Sequence, residues 1–364
     1  MININTYITK FGKKTFEKMP FNDVDGLIFA ELSMINFEYL LKKQKSMYLK
    51  DMVIENLKEV TFGSPDARAN GIMLKRMMIS KRYQDVKVSH VKRIFSDEFA
   101  NQFYAVTFIL PDGTLYLSFR GTDITIVGWK EDFYITFMDR IPSQLEALEY
   151  THEVLKALPG NFILGGHSKG GNLAIYSAFN MKEKYNDRLL EVISYDGPGF
   201  PNGIDQYPNT YNVIDKVRKY ITHRDFIGLL YSNIDTYKIV YSTGVLLGGH
   251  DPFAWKIDEK KGDFIYKDKC LKKSLIFAKG TNMWIKSLAV EDKLLGIDAL
   301  SSICGKANNI YDLLRLMLPN IARYNTVIKQ YPPEERKRLN RMIRHFFGCQ
   351  KKAKIAYNKK PVKK

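Results

Sequence analysis

The sequence predicts an α/β protein, a three-layer sandwich in which a mixed, mainly parallel sheet lies between helices. Two observations predict it. Pro111-Asp112-Gly113 joins two apolar, β-rich runs, 102–110 and 114–119, and such turn residues between strand-like runs mark a hairpin. From residue 143 onward, short apolar runs alternate with helix-length amphipathic segments, the pattern of parallel strands joined by crossover helices.

Taken in order, residues 1–20 are expected to be a loosely held arm. Asn22 or Asp23 suits the N-cap of a helix, because Val24, Leu27, Ile28, Leu32, Ile35 and Leu40 recur at helical spacing. Further helices are predicted over 46–61 and 67–83, with a break at Gly63-Ser64-Pro65. Met73, Met77 and Met78 on the latter read as core, where flexible thioethers fill gaps. The strands open at 85–95 and continue through the hairpin. A helix over 143–158 stops at Pro159-Gly160, and Phe162–Leu164 follows as a strand. A helix over 172–179, a strand over 189–195, a helix over 208–216 and strands over 217–222 and 237–242 complete the alternation. Beyond Trp255 helices prevail, over 281–303, 309–329 and, shorter and basic, 332–347. Leu313, Leu314, Leu316, Met317 and Leu318 form an apolar cluster expected to pack on the core.

With 364 residues, 45% hydrophobic and 13% aromatic, the chain is long and apolar enough for one elaborated globular domain. The expected division is an arm at 1–20, one domain at 21–335 that becomes helical from about residue 280, and a basic tail at 336–364. The net charge of +17 is mostly a property of that tail, which holds twelve lysines and arginines and no acid, leaving +5 for the rest. Such a tail is expected to be a solvated end, with weak contact to anionic membrane or nucleic acid as the functional alternative. No stretch of eighteen apolar residues and no secretory leader is visible. Cys270, Cys304 and Cys349 are odd in number and widely spaced, which suggests a reduced, cytoplasmic setting.

The chemistry is read from Asn161-Phe-Ile-Leu-Gly-Gly-His-Ser-Lys-Gly-Gly-Asn172. Gly166, Ser168 and Gly170 have the G-x-S-x-G spacing of a nucleophile elbow, a tight strand-to-helix turn that presents a serine hydroxyl. A phosphate loop is excluded, because Lys169 precedes a glycine where that motif requires a hydroxyl residue after the lysine. A serine nucleophile needs a base, and the base needs an orienting acid. Six histidines are available. His90 and His152 precede the serine, His167 adjoins it and is expected to point elsewhere, His223 falls within strand pattern, and His345 lies in a basic helix. That leaves His250, in the loop Gly248-Gly-His-Asp-Pro252. Asp225 and Asp196 both follow strand ends; Asp225 is preferred as the acid, because Asp196 in Asp-Gly-Pro-Gly also fits a turn former. Asp251 adjoins the base and reaches it poorly. The oxyanion hole is expected from the amides of Lys169 and Thr122, the latter in Phe119-Arg-Gly-Thr-Asp123, with the Thr122 hydroxyl aimed at the same oxygen.

These residues carry a resemblance. Phe119-Arg-Gly-Thr122, Val127-Gly-Trp-Lys-Glu-Asp132, Gly166-His-Ser-Lys-Gly170 and Arg224-Asp225 resemble the class 3 lipase branch of the α/β hydrolases. More closely, Pro20-Phe-Asn-Asp-Val-Asp25, Gly165-Gly-His-Ser-Lys-Gly-Gly-Asn172, Tyr195-Asp-Gly-Pro-Gly-Phe200 and His250 make the chain similar to a bacterial Mbeg-like family, over most of 17–330. The resemblance implies an α/β-hydrolase-like fold with a Ser168, Asp225, His250 triad, and no particular substrate. Lys169 departs from the apolar residue or Gln usual after a lipase nucleophile; its ammonium is expected either to meet an anionic part of the substrate or to face solvent. The resulting expectation is a serine esterase or lipase acting on carboxylic esters of lipid type. It needs no cofactor, no metal and no dedicated protein partner, and residues 124–141 serve as a lid or as a packed connection. The alternative is a catalytically idle scaffold that binds a partner or an anionic membrane surface.

Overall fold

A computed structural model describes residues 1–234, 236–244, 246–304 and 327–359. Among the described residues nine strands occur: β1 (Ser46–Tyr48), β2 (Lys87–Ser96), β3 (Asn101–Ile109), β4 (Leu115–Phe119), β5 (Phe162–His167), β6 (Leu189–Tyr195), β7 (Val217–Thr222), β8 (Tyr237–Val240) and β9 (Tyr266–Lys267). They form one sheet in sequential order. β1 to β4 pair antiparallel, β4 to β8 pair parallel, and β9 returns antiparallel. The sheet is therefore mixed, with parallel pairs making up half of it and not most of it. The hairpin is where the sequence puts it: Asp112 Oδ1 accepts the Thr114 amide at 2.9 Å, and Gly113 takes a positive φ of 85°.

Alternation along the parallel strands explains the layers. Leu115, Leu117, Phe119, Phe162, Leu164 and Val192 join a core on one face. Tyr116, Ile163, Ile193 and Tyr195 join a core on the other. Successive side chains of a strand point to opposite faces, so both faces need cover. Right-handed crossovers between sequentially ordered strands all fall on one side. Helices α7 (Pro142–Ala157), α8 (Lys169–Asn180) and the short α9 (Thr210–Val213) accordingly contribute to the first core. The opposite face is covered by segments that come before β2, namely α1 (Ile4–Phe11), α2 (Asp23–Leu32), the short α3 (Phe37–Leu41) and α4 (Leu57–Val60), and α5 (Ala67–Met78), with α1, α2 and α5 supplying buried residues to its core.

Residues 1–20 are thus not a loose arm. Asn3 caps α1, whose Ile4, Tyr7 and Ile8 are buried. Arg82 of the chain after α5 draws the segment in. Its guanidinium donates to the Met19 carbonyl at 2.6 Å and to the Pro20 carbonyl at 3.1 Å, and it forms a fully buried ion pair with Asp25. Asp25 also closes a capping box with Asn22 and accepts the Tyr83 hydroxyl at 2.6 Å. The motif Pro20–Asp25 is therefore a structural clamp.

The helix read from residue 22 to 40 is two helices. Arg120 donates to the carbonyls of Ser33 at 2.6 Å and Ile35 at 2.9 Å, capturing groups a continuous helix would use internally. The expected helix over 46–61 is instead β1, a single 3-10 turn and α4, because Ser46–Tyr48 adds to the edge of β2. Between β4 and β5 comes α6 (Ile126–Ile135), and after β9 come α10 (Lys272–Ser287), α11 (Val290–Cys304) and α12 (Pro333–Lys359). The stretch expected as a basic tail is, as far as residue 359, one helix docked on α10: the Trp284 indole donates to the Met342 carbonyl at 3.0 Å. The helix expected over 309–329 lies largely, and its leucine cluster wholly, outside the described residues. No described helix is long and apolar enough to cross a membrane.

Candidate active site

Five neighbouring strands end at one rim. β4 runs into Arg120-Gly-Thr122, β5 into Ser168, β6 into Asp196 and β7 into the turn holding Asp225, while His250 follows β8. The parallel register keeps these ends level, with His167 opposite Tyr195 and Tyr195 opposite Tyr220. Carboxyl ends of parallel strands are where open α/β sheets assemble ligand-binding groups.

Ser168 sits in the elbow with φ 57° and ψ −126°. A non-glycine residue at positive φ costs about 1–3 kcal/mol and persists only where its surroundings hold it. Its amide donates to the Tyr195 carbonyl at 2.9 Å. Both flanking glycines are required by space. A β-carbon on Gly166 would lie 2.3 Å from the backbone of Gly170, and one on Gly170 would lie 2.0 Å from the Phe119 carbonyl oxygen. The end of β5, the elbow and the end of β4 thus touch backbone to backbone.

His250 is held by two acids. Its Nδ1 lies 2.9 Å from Asp196 Oδ2 and 3.2 Å from Asp225 Oδ2, and both carboxylates are buried. Asp196 adopts a left-handed φ of 54° to reach it. Burial alone would lower the imidazole's pKa, but hydrogen bonds to Asp196 and Asp225 push it up to about 10. Burial and the Asp225 charge push Asp196 up to about 7. With Nδ1–H given to carboxylate, the neutral ring leaves its Nε2 lone pair free, the form a general base requires. Ser168 and His250 line the same cavity.

The sequence reading put Asp225 ahead of Asp196; the structure brings both to the ring, with Asp196 the nearer. It also brings in His167, set aside at the sequence level. That ring is buried 4.5 Å from the His250 ring, and its Nε2–H donates to the His250 carbonyl at 2.9 Å. Burial, and the adjacent His250 charge, hold His167 well below the usual imidazole range. Adjacency to Ser168 was the only available signal for it.

Two expectations about side chains are corrected. Lys169 meets neither substrate nor solvent: its ammonium is sealed, donating to Gln102 O at 2.6 Å, Gln102 Oε1 at 2.8 Å and Glu131 Oε2 at 2.7 Å. An unpaired charge at a buried position is prohibitive, so α6 supplies the partner. The Thr122 hydroxyl is likewise committed, donating to Asp132 at 2.7 Å, which leaves only its amide for an oxyanion. Burial raises the Asp132 carboxyl to about 6 despite the nearby Lys169 charge.

The cavity above the rim has a volume of about 350 Å³. Trp129, Phe133 and Phe137 of the α6 region, Phe226 and Leu230 after β7, and Trp284 of α10 give it a largely apolar wall. The segment read as lid or connection is therefore a wall of the cavity.

No curated protein and no solved structure matches the chain. The model of the Mbeg1-like family matches residues 77–302, a narrower span than the resemblance read from the motifs but more than half of the chain. That span holds Thr122, Ser168, Asp196, Asp225 and His250, and the chain belongs to the Mbeg1-like family.

Proposed function

We propose that the protein is a serine hydrolase of α/β-hydrolase type, similar to class 3 lipases, that cleaves carboxylic esters. One observation carries the reading: a serine strained into an elbow shares an apolar cavity with a histidine whose Nδ1 is held by buried carboxylates. In this reading Ser168 attacks the acyl carbon and His250 takes the hydroxyl proton and later returns it to the leaving alcohol. Asp196 and Asp225 fix the ring and offset its charge. The amides of Thr122 and Lys169 hold the oxyanion, at the positive end of α8. The acyl chain lodges in the cavity, which favours lipid-like esters. Each methylene transferred from water is worth about 0.8 kcal/mol, so kcat/KM should rise roughly fourfold per added carbon until the cavity is full.

The test is labelling by a fluorophosphonate probe. The folded wild type should label, and Ser168→Ala should abolish both labelling and ester hydrolysis. A folded wild type that never labels would leave the protein as an idle scaffold. A second reading has one observation behind it: ligand atoms of Asp196, Asp225 and His250 lie within 4.8 Å of one another, the spacing of a divalent-metal site. Activity abolished by EDTA and restored by metal would favour that reading, whereas labelling indifferent to EDTA favours the serine.

A further inference from the structure

Helix α12 has two faces with different chemistry. Its inner face buries Leu339, Met342, Cys349 and Ala353, and Met342 reaches the wall of the active-site cavity. Its outer face carries the exposed cations Arg341, Arg344, Lys351, Lys352 and Lys354. None of these five has an ion pair among the described residues, and no acid follows Glu335 in the sequence. Among them stand exposed apolar side chains: Phe347 is 66% exposed, Ile355 46% and Ile343 36%.

In water this face is unfavourable twice over, because like charges along a helix repel and a large ring stays hydrated. A surface that is anionic at its edge and apolar beneath removes both penalties. We propose that α12 docks on an anionic lipid surface, lying in the interfacial plane with Phe347 and Ile355 among the acyl chains and the lysines at the phosphates. A nucleic acid would answer the charge but has no apolar layer to receive the isoleucines. Since Met342 walls the cavity from the inner face of the same helix, docking sets that cavity about one helix diameter, roughly 10 Å, from the bilayer surface. The benefit to catalysis rests on the hydrolase reading, but the docking itself does not.

The experiment is co-sedimentation of the full-length protein with phosphatidylcholine vesicles, with and without phosphatidylglycerol. Partitioning should be at least about tenfold stronger on the anionic vesicles and should weaken with added salt. Reversing Lys351→Glu, Lys352→Glu and Lys354→Glu together should remove at least about tenfold of it. Phe347→Ala should remove about tenfold at unchanged charge, and Phe347→Trp should report insertion by a blue-shifted emission. These positions are exposed, so circular dichroism should match the wild type throughout. Ser168→Ala should dock like the wild type, which separates loss of chemistry from loss of docking. Equal binding to both vesicle types, wild-type binding by the triple variant, or tighter binding to duplex DNA or RNA than to anionic vesicles would each overturn the proposal.

Discussion

At the scale of residues, the unusual feature is one imidazole nitrogen facing two carboxylates. Two negative neighbours hold the imidazolium more firmly than one, which is why His250 is raised to about 10 against its own burial. In the proposed mechanism His250 is a general base, which works only when neutral, so kcat/KM of the wild type should climb across the alkaline range towards pH about 10. Asp225→Asn removes one charge and should lower the imidazole pKa, moving the ascending limb at least about one pH unit towards acid. A limb that stays in place would show that Asp225 does not act on His250. The same group also ties stability to pH. Its folded pKa lies above the unfolded value, so its stabilising contribution is whole below about pH 6.5 and disappears as pH rises through about 10. His167 belongs to this scale too, because its bond to the His250 carbonyl fixes the backbone that carries that imidazole.

At the scale of elements, α6 decides whether the cavity can open. Glu131 ties it down three ways: it pairs with Lys169 of α8, accepts the Ser143 amide at the start of α7 at 3.0 Å, and accepts the Gln102 amide of β3 at 3.2 Å. Swinging α6 away as a rigid lid would expose a buried charge pair, so opening must come from its neighbours or from side chains such as Trp129 and Phe133. Lys169→Met leaves Glu131 buried without its cation and should lower unfolding stability by about 3–5 kcal/mol, readable by urea titration. Adding Glu131→Gln should recover a large part of that loss. If the double variant is no more stable than the single, the pair is not the source of the effect. Glu131 and Lys169 lie 38 positions apart in the chain; their meeting depends on a strand-to-helix turn and a distant helix folding together.

At the scale of the whole molecule, the sheet's own handedness leaves one face bare, and residues preceding β2 cover it. The N-terminal helices are therefore part of the core, fastened by Arg82 and Asp25, both side chains fully buried. Arg82→Met strands Asp25 without its partner and unties the Met19 and Pro20 carbonyls. The expected loss is about 3–5 kcal/mol, in a single cooperative transition seen equally by tryptophan fluorescence and by circular dichroism. An early, separate unfolding step of the first eighty or so residues would contradict this account of a shared core.

Legible in the order of residues alone was the repeating local chemistry: the 111–113 hairpin, the strand and helix alternation from residue 143, the glycine-flanked turn at Ser168, and His250 as the histidine singled out to meet an acid. Short-range rules decide such features, because period, turn residues and backbone clearance act within a few positions. Only the tertiary structure decided that residues 1–20 belong to the core, that the early helix breaks where Arg120 captures its carbonyls, that Lys169 is sealed against Glu131, and that Asp196 joins Asp225 at one imidazole. Each of these depends on a buried charge or polar group finding its partner across dozens of residues, and that choice is made by the geometry of the closed fold.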